Sequence, residues 1–281
     1  MYSDTLFESI DGRAEQCKRR GINECDGMTN TKDILVSVVV PAYNAAAYIE
    51  QTIRSVMAQT HTCWEMLVID DGSTDDTVRI VERLAAEDHR IRWICNPQNS
   101  GVATTRNRGL ELCEGAYVAF LDSDDTWHPE KLALQLQKAV SEQAALVYTA
   151  YAIVDADGQS CRAPYRVPAR VDFKELLKEN VIGCSTVLLD SIVAKQYRFL
   201  ADFYHEDYCL WLDILRDGHT AVGCTDVLTN WRLITTSRSF NKKNGAKKRW
   251  RIYRDHLHFS VLKSARYFVA YAFRGWLKYL R

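Results

Sequence analysis

The residues best suited to chemistry sit in one turn. Tyr117-Val-Ala-Phe-Leu runs into Asp122-Ser-Asp124-Asp125, so three carboxylates fall within four positions. Like charges a few ångströms apart repel unless a cation or hydrogen-bond donors offset them. Oxygen-only ligands select hard divalent ions, which makes Mg2+ or Mn2+ the natural counter-ion. Mg2+ takes one or two protein carboxylates and completes its shell with water and phosphate oxygens. The turn therefore suits a metal that holds a phosphorylated substrate. A plainer reading also fits: a solvated turn that caps the helical run opened by Pro129.

Other polar clusters end other strands. Ile34–Val40 is an apolar, β-branched run of the kind buried in parallel sheets, and Pro41-Ala-Tyr43-Asn44 ends it. Trp64–Ile69 is closed by Asp70-Asp71-Gly72-Ser73, and Ile91–Cys95 leads to Asn99-Ser-Gly101. Between them the spacing predicts helices over Ala45–Thr60, from Ser73 to Ala86 with a Ser73/Asp76 capping box, and over Ala103–Cys113. Strand and helix alternate, as in a doubly wound α/β layer with a mostly parallel central sheet flanked by helices. Ligands of such sheets bind at the carboxyl ends of the strands, where Asn44, Asp70, Asp71, Asn99 and Asp122–Asp125 converge.

The second half is less regular. Leu146–Val154 with the turn Asp155-Ala-Asp-Gly158 predicts a strand and hairpin, and Asp172–Asn180 a short helix. Ile182–Leu189 is apolar but carries Ser185 and Thr186. His205-Glu206-Asp207-Tyr208 starts a helix that Gly218 stops, and Val227–Leu233 is the last expected strand.

Net charge is zero over 281 residues, but its distribution is lopsided. Thirteen Lys and Arg against one acid lie from residue 238 on, giving that tail +12 and the rest −12. From Lys247 to Leu280, Trp250, Tyr253, Leu257, Val261, Phe268 and Trp276 recur at helical spacing among basic residues. This fits a helix packed on the domain or one lying on an anionic membrane surface. No nucleic-acid partner is expected, since the tail has no recognisable binding module. Nine cysteines, none in a Cys-x-x-Cys pair, point to reduced thiols and a cytoplasmic location. No apolar stretch reaches the length of a membrane span, and no signal peptide opens the chain. Residues 1–33 form a polar, weakly ordered extension in which Met28 is an alternative start. A core domain over 34–237 divides at about residue 127, and 238–281 is the tail.

In this order the motifs Val38-Val-Val-Pro-Ala-Tyr-Asn44, Ser55-Val-Met-Ala-Gln59-Thr60, Val68-Ile-Asp-Asp-Gly-Ser-Thr-Asp75, Asn99-Ser-Gly101, Arg106-Asn-Arg-Gly109, Phe120-Leu-Asp-Ser-Asp-Asp-Thr-Trp127, Pro129-Glu-Lys-Leu132 and Glu206-Asp207-Tyr208 resemble glycosyltransferase family 2. The resemblance covers about residues 34–235 and implies the GT-A nucleotide-diphospho-sugar fold. It implies that Asp71 accepts a hydrogen bond from the nucleotide base, with Pro41, Tyr43 and Asn44 lining the same site. Arg106 resembles the basic residue near base and phosphates, and Asp122 the ribose-binding member of an Asp-x-Asp motif. Asp124 resembles the metal-binding member, alone or with Asp125. Asp207 resembles the general base of an inverting displacement, with Glu206 the alternative and His205 without a role. Asp70 is either structural or part of the donor site.

The processive members carry Gln-x-x-Arg-Trp and membrane spans. Here the comparable stretch is Thr229-Asn-Trp231-Arg232-Leu, so a single transfer is expected. Chains of this length with a basic aromatic tail resemble bacterial enzymes that extend lipid-linked sugars for surface polysaccharide or O-antigen. The implied partners are a nucleotide-sugar donor, a lipid-linked or saccharide acceptor, and the cytoplasmic membrane face. Ser237, Ser239 and Lys242 are candidates for a loop over the acceptor diphosphate, or form a simple linker. A non-catalytic sugar-nucleotide-binding scaffold is the competing function. A nucleotidyltransferase would need a glycine-rich loop after the first strand, which Pro41-Ala-Tyr-Asn44 does not supply.

Overall fold

The computed structural model describes residues 31–234 and 245–279. Three strands, β1 (Val36–Ala42), β2 (Trp64–Asp70) and β3 (Ile91–Cys95), pair in parallel, and β4 (Tyr117–Phe120) joins β1 on its other side, also parallel. Helices α1 (Ile49–Met57), α2 (Thr77–Glu87) and α3 (Val102–Leu112) make the crossovers. This half follows the expected alternation. Helix starts differ locally: Asp75, not Ser73, serves the α2 start, accepting hydrogen bonds from the Thr77 N–H and hydroxyl.

The sheet continues as β4-β9-β6-β10-β5, with β7 on β6 and β8 on β10. These strands are β5 (Thr126–Trp127), β6 (Leu146–Val154), β7 (Ser160–Tyr165), β8 (Arg170–Val171), β9 (Leu188–Asp190) and β10 (Ala221–Arg232). Only β6 and β10 pair in parallel here; β9 runs antiparallel between β4 and β6 and joins the halves. Helices α4 (Lys131–Ser141), α5 (Phe173–Lys178), α6 (Ser191–Ala194) and α7 (Glu206–Arg216) complete the layers.

The period-two pattern of the strands sets two cores. Val36, Val38, Val40, Tyr117 and Ala119 face one side, with Ile49, Ile53, Leu132 and Leu136. Val39, Val118, Phe120 and Tyr148 face the other, with Leu110, Leu177, Tyr208 and Trp211. On this second side α3 lies so close to β1 that a Cβ at Gly109 would stand 2.3 Å from Val39 Cγ1.

The tail is not one helix. Helix α8 (Gly245–Arg251) passes through a wide π turn, Ile252–His256, and the chain breaks at His258 with φ +53 before α9 (Val261–Tyr279). Ile252 and Tyr253 are buried in the second core, and the Tyr253 hydroxyl donates to the Leu177 carbonyl at 2.6 Å. Arg274 pairs with Glu175 and Glu179 on the α5 side. The packed reading of the tail therefore holds for this face. The opposite face of α9 presents Leu262, Val269 and Phe273, 84%, 66% and 56% exposed, beside Lys263 and Arg266. Ser237, Ser239, Lys242 and Met28 lie outside the described residues.

Candidate active site

A cleft of about 1250 Å³ opens at the carboxyl ends of β1, β2 and β4. Pro41 and Tyr43 line it from β1, and Tyr43 is 51% exposed. Asp71 follows β2 and is buried. Its Oδ1 accepts from Asn96 Nδ2 at 2.7 Å and from the Ser100 N–H at 3.0 Å, and its Oδ2 from the Gly101 N–H at 2.8 Å. Burial raises this carboxyl's pKa, but the donors outweigh it and hold the group below its usual value. The ionised Oδ2, with one bond, can accept another. Asp70 turns the other way, accepting the Gly72 and Ser73 N–H groups, and so shapes the turn. Gly72 sits there at φ +82, a conformation that glycine adopts at no steric cost.

Asn44 is engaged with the loop after β2. Its Oδ1 accepts from the Thr74 N–H and hydroxyl, and its N–H donates to Ser73 Oγ. It ties two loops together outside the cleft wall, while Pro41 and Tyr43 remain on it.

The acidic turn after β4 is held from three sides. The Asp122 N–H donates to Ser185 Oγ at 3.1 Å. The Arg232 N–H donates to Asp125 Oδ1 at 2.8 Å, and Arg232 Nε to the Asp124 carbonyl at 2.7 Å. Trp127 Nε1 donates to the Ser185 carbonyl, and the fully buried Lys131 places Nζ 3.8 Å from the Trp127 ring. Sequence reasoning missed Arg232, Ser185 and Asn96 as site residues. The signals were faint: a Trp-Arg pair in a strand, a Ser in an apolar run, an Asn just past a strand.

These carboxylates have different fates. Asp125 is 1% exposed and engaged by the Arg232 backbone, while its Oδ2 is buried without a hydrogen-bond partner. Burial, then the anions Asp124 and Asp122, push its pKa well above the usual range. Asp124 is pushed up to about 6 by burial and by Asp122. Arg232 and Arg106 pull the Asp124 pKa down without outweighing its burial, and the oxygen donors of both carboxyls suit a hard divalent cation. Among the described residues no group of three or more His, Cys, Asp or Glu forms a ready-made cage.

Arg106 spans the cleft base. Its Nη2 donates to Asp122 at 2.5 Å and its Nη1 to Glu206 at 2.9 Å, with 5% of the side chain exposed. Arg106 lines the cleft with this guanidinium paired to two carboxylates. Arg106 holds β4's acidic end and the first turn of α7 together, through a contact to Glu206 that spans 100 residues of sequence. Asp122, in turn, has one oxygen on Arg106. Glu206 is committed, and Asp207 beside it accepts the Tyr208 N–H at 2.7 Å. Burial raises the Asp207 pKa, against the downward pull of Arg106. Asp207, Asp124, Asp122 and Asp71 all line the one cleft.

The tail closes one wall. Gly245, Lys248 and Tyr271 line the cleft with Tyr204 and His205. Arg249, buried, stacks its guanidinium on Tyr208 at 4.0 Å and on Tyr271 at 4.6 Å.

Comparison with known proteins gives a consistent picture. The putative teichuronic acid biosynthesis glycosyltransferase TuaG of Bacillus subtilis (strain 168) is 40% identical over 245 residues, covering 87% of this chain and 97% of that protein. The UDP-Glc:alpha-D-GlcNAc-diphosphoundecaprenol beta-1,3-glucosyltransferase WfgD of Escherichia coli is 37% identical over 225 residues, 79% of this chain and 87% of that protein. In fold the chain matches S. aureus TarS 1-349, solved with UDP-GlcNAc, at a TM-score of 0.68 with 20% identity, over 85% of this chain and 71% of that one. It likewise matches the mannosyltransferase PcManGT from Pyrobaculum calidifontis, solved with GDP-Man and Mn2+, at 0.65 with 18% identity, over 95% and 80%. The fold is GT-A. The family model described as glycosyl transferase family 2 matches residues 37–194, more than half of the sequence, and the chain belongs to that family.

Proposed function

We propose that this protein is an inverting, non-processive glycosyltransferase that moves one hexose from a UDP-sugar to a hydroxyl of a polyprenyl-diphosphate-linked saccharide. The setting is bacterial surface-polysaccharide assembly, O-antigen being one example, at the cytoplasmic face of the membrane. One observation carries the reading: Asp207, Asp124 and Asp71 line a single cleft. The name of the relative WfgD, which specifies a UDP-Glc donor and a diphosphoundecaprenol acceptor, supports the substrate classes.

Asp71 receives the nucleobase N–H on Oδ2, and Tyr43 supplies an exposed ring for the base. Asp122 keeps an oxygen for the ribose while Arg106 holds the other. Asp124, backed by Asp125, would hold Mg2+ or Mn2+, which supplies charge stabilisation to the departing diphosphate. Asp207 takes the proton of the acceptor hydroxyl as its oxygen bonds to the anomeric carbon. The bond from that carbon to the diphosphate oxygen breaks, and the nucleoside diphosphate leaves. A single displacement with one base inverts the anomeric centre. Glu206, neutralised by Arg106, is not the base in this scheme.

The exposed stripe Leu262, Val269, Phe273 with Lys263 and Arg266 fits an interfacial contact with anionic lipid. Among the described residues no helix is long and apolar enough to cross a membrane.

A panel of UDP- and GDP-sugars with a synthetic alkyl-diphosphate-GlcNAc acceptor tests the reading. Transfer is expected with wild type, and Asp207→Asn should lower kcat by about 10²–10⁴-fold with little change in donor binding. Asp124→Asn should lose activity and its response to Mn2+. Undiminished turnover in both variants would refute the assignment. Donor binding without transfer to any acceptor would favour the non-catalytic scaffold.

A further inference from the structure

The cleft is acidic at its base, and a lipid diphosphate approaching it meets Asp122, Asp124, Asp125, Glu206 and Asp207. Arg106 offers it little, being committed to two carboxylates. Lys248 is different. It lines the cleft and also a smaller adjoining cavity of about 330 Å³, and among the described residues it has no carboxylate within ion-pair distance; Arg162, which lines the cleft without such a partner too, is an exposed residue of β7. Its Nζ rests 3.1 Å from the centroid of the Tyr204 ring, three positions before Asp207. Arg249, the next residue, is clamped between Tyr208 and Tyr271, which fixes α8 against the start of α7. The chain then leads into α9 and its exposed apolar stripe. Asp207, for the sugar hydroxyl, and Lys248, for the diphosphate, thus line one cleft, and the chain beyond Lys248 carries the apolar stripe.

We propose that Lys248 is the anchor for the diphosphate of the acceptor, making the α8–α9 unit part of the acceptor site. The proposal rests on the lipid-linked acceptor reading above. An ammonium is a compact point charge suited to phosphate. Half-buried on an aromatic face, it is less screened than a surface lysine.

The test compares Lys248→Met, which keeps the stem and removes the charge, with Lys248→Arg, which keeps the charge. Two acceptors are used: alkyl-diphosphate-GlcNAc and an alkyl GlcNAc glycoside without phosphate. Lys248→Met should raise KM for the first by about tenfold, equivalent to ~1.4 kcal/mol, and leave the second unchanged. The kcat and the donor KM should stay as in wild type, and Lys248→Arg should restore the acceptor KM. Equal losses on both acceptors, or none on either, overturn the proposal.

Calorimetry with farnesyl diphosphate, farnesol and inorganic pyrophosphate, on protein saturated with UDP and Mn2+, reads the same site without turnover. Farnesyl diphosphate should bind, and about tenfold more weakly to Lys248→Met. Equal binding to both proteins, or inorganic pyrophosphate binding as tightly as the lipid, overturns it. Lys248-dependent binding of farnesyl diphosphate with no transfer to any acceptor sinks the transferase reading and leaves this site standing.

Discussion

Glu206 and Asp207 are chemically alike and adjacent, yet Arg106 distinguishes them by pairing with Glu206. The sequence left that choice open because it depends on a contact spanning 100 residues. The carboxylate turn, by contrast, was legible, since repulsion among neighbours in the chain needs no tertiary knowledge. Its restraints were not: Arg232 reaches Asp125 only because β10 pairs beside β6 and β5. The bond between Asn44 and Thr74 was hidden for a similar reason, the two being 30 positions apart. For Asp207 the pH consequence follows from the sign of its shift. Burial raises its pKa above the usual 3.8, so the basic form is lost as pH falls through that raised value. The acid limb of kcat/KM at saturating Mn2+ should therefore lie above pH 3.8, with a slope of about one decade per unit. A profile flat down to that pH would remove Asp207 as the base.

The parallel half of the sheet was readable because continuous β-branched runs and regular crossovers admit few topologies. The antiparallel insertion of β9 was not, since three residues carry no period of their own. Gly109 shows how tightly α3 must approach β1. Gly109→Ala should cost about 1–3 kcal/mol in urea unfolding, because the added methyl meets Val39 on a packed strand. A neutral result would mean that the helix shifts freely on the sheet. In the tail, helical spacing was visible but the break was not: the positive φ of His258 has no glycine to announce it. Tyr253→Phe should cost about 1 kcal/mol by leaving the Leu177 carbonyl unpaired. Equal stability would show that the carbonyl finds another donor.

Taken as one body, the molecule has no detachable tail, because Ile252 and Tyr253 belong to its second core. Deletion is thus a poor probe of membrane contact. The direct probe is Leu262→Ser and Val269→Ser together, both 66% exposed or more. Each side chain is worth ~1.5–3 kcal/mol when fully buried, so co-sedimentation with anionic vesicles should fall at least about a hundredfold with the melting temperature kept. Unchanged co-sedimentation would mean that the stripe does not meet lipid. Helix α9 nonetheless has a consequence for kinetics. One element walls the cleft on one face and offers the stripe on the other. An enzyme held on lipid by that stripe, as proposed above, would search for a lipid-linked acceptor in two dimensions. Its rate then follows the mole fraction of acceptor in the bilayer, and diluting the acceptor with inert lipid slows turnover even when the amount per volume stays constant.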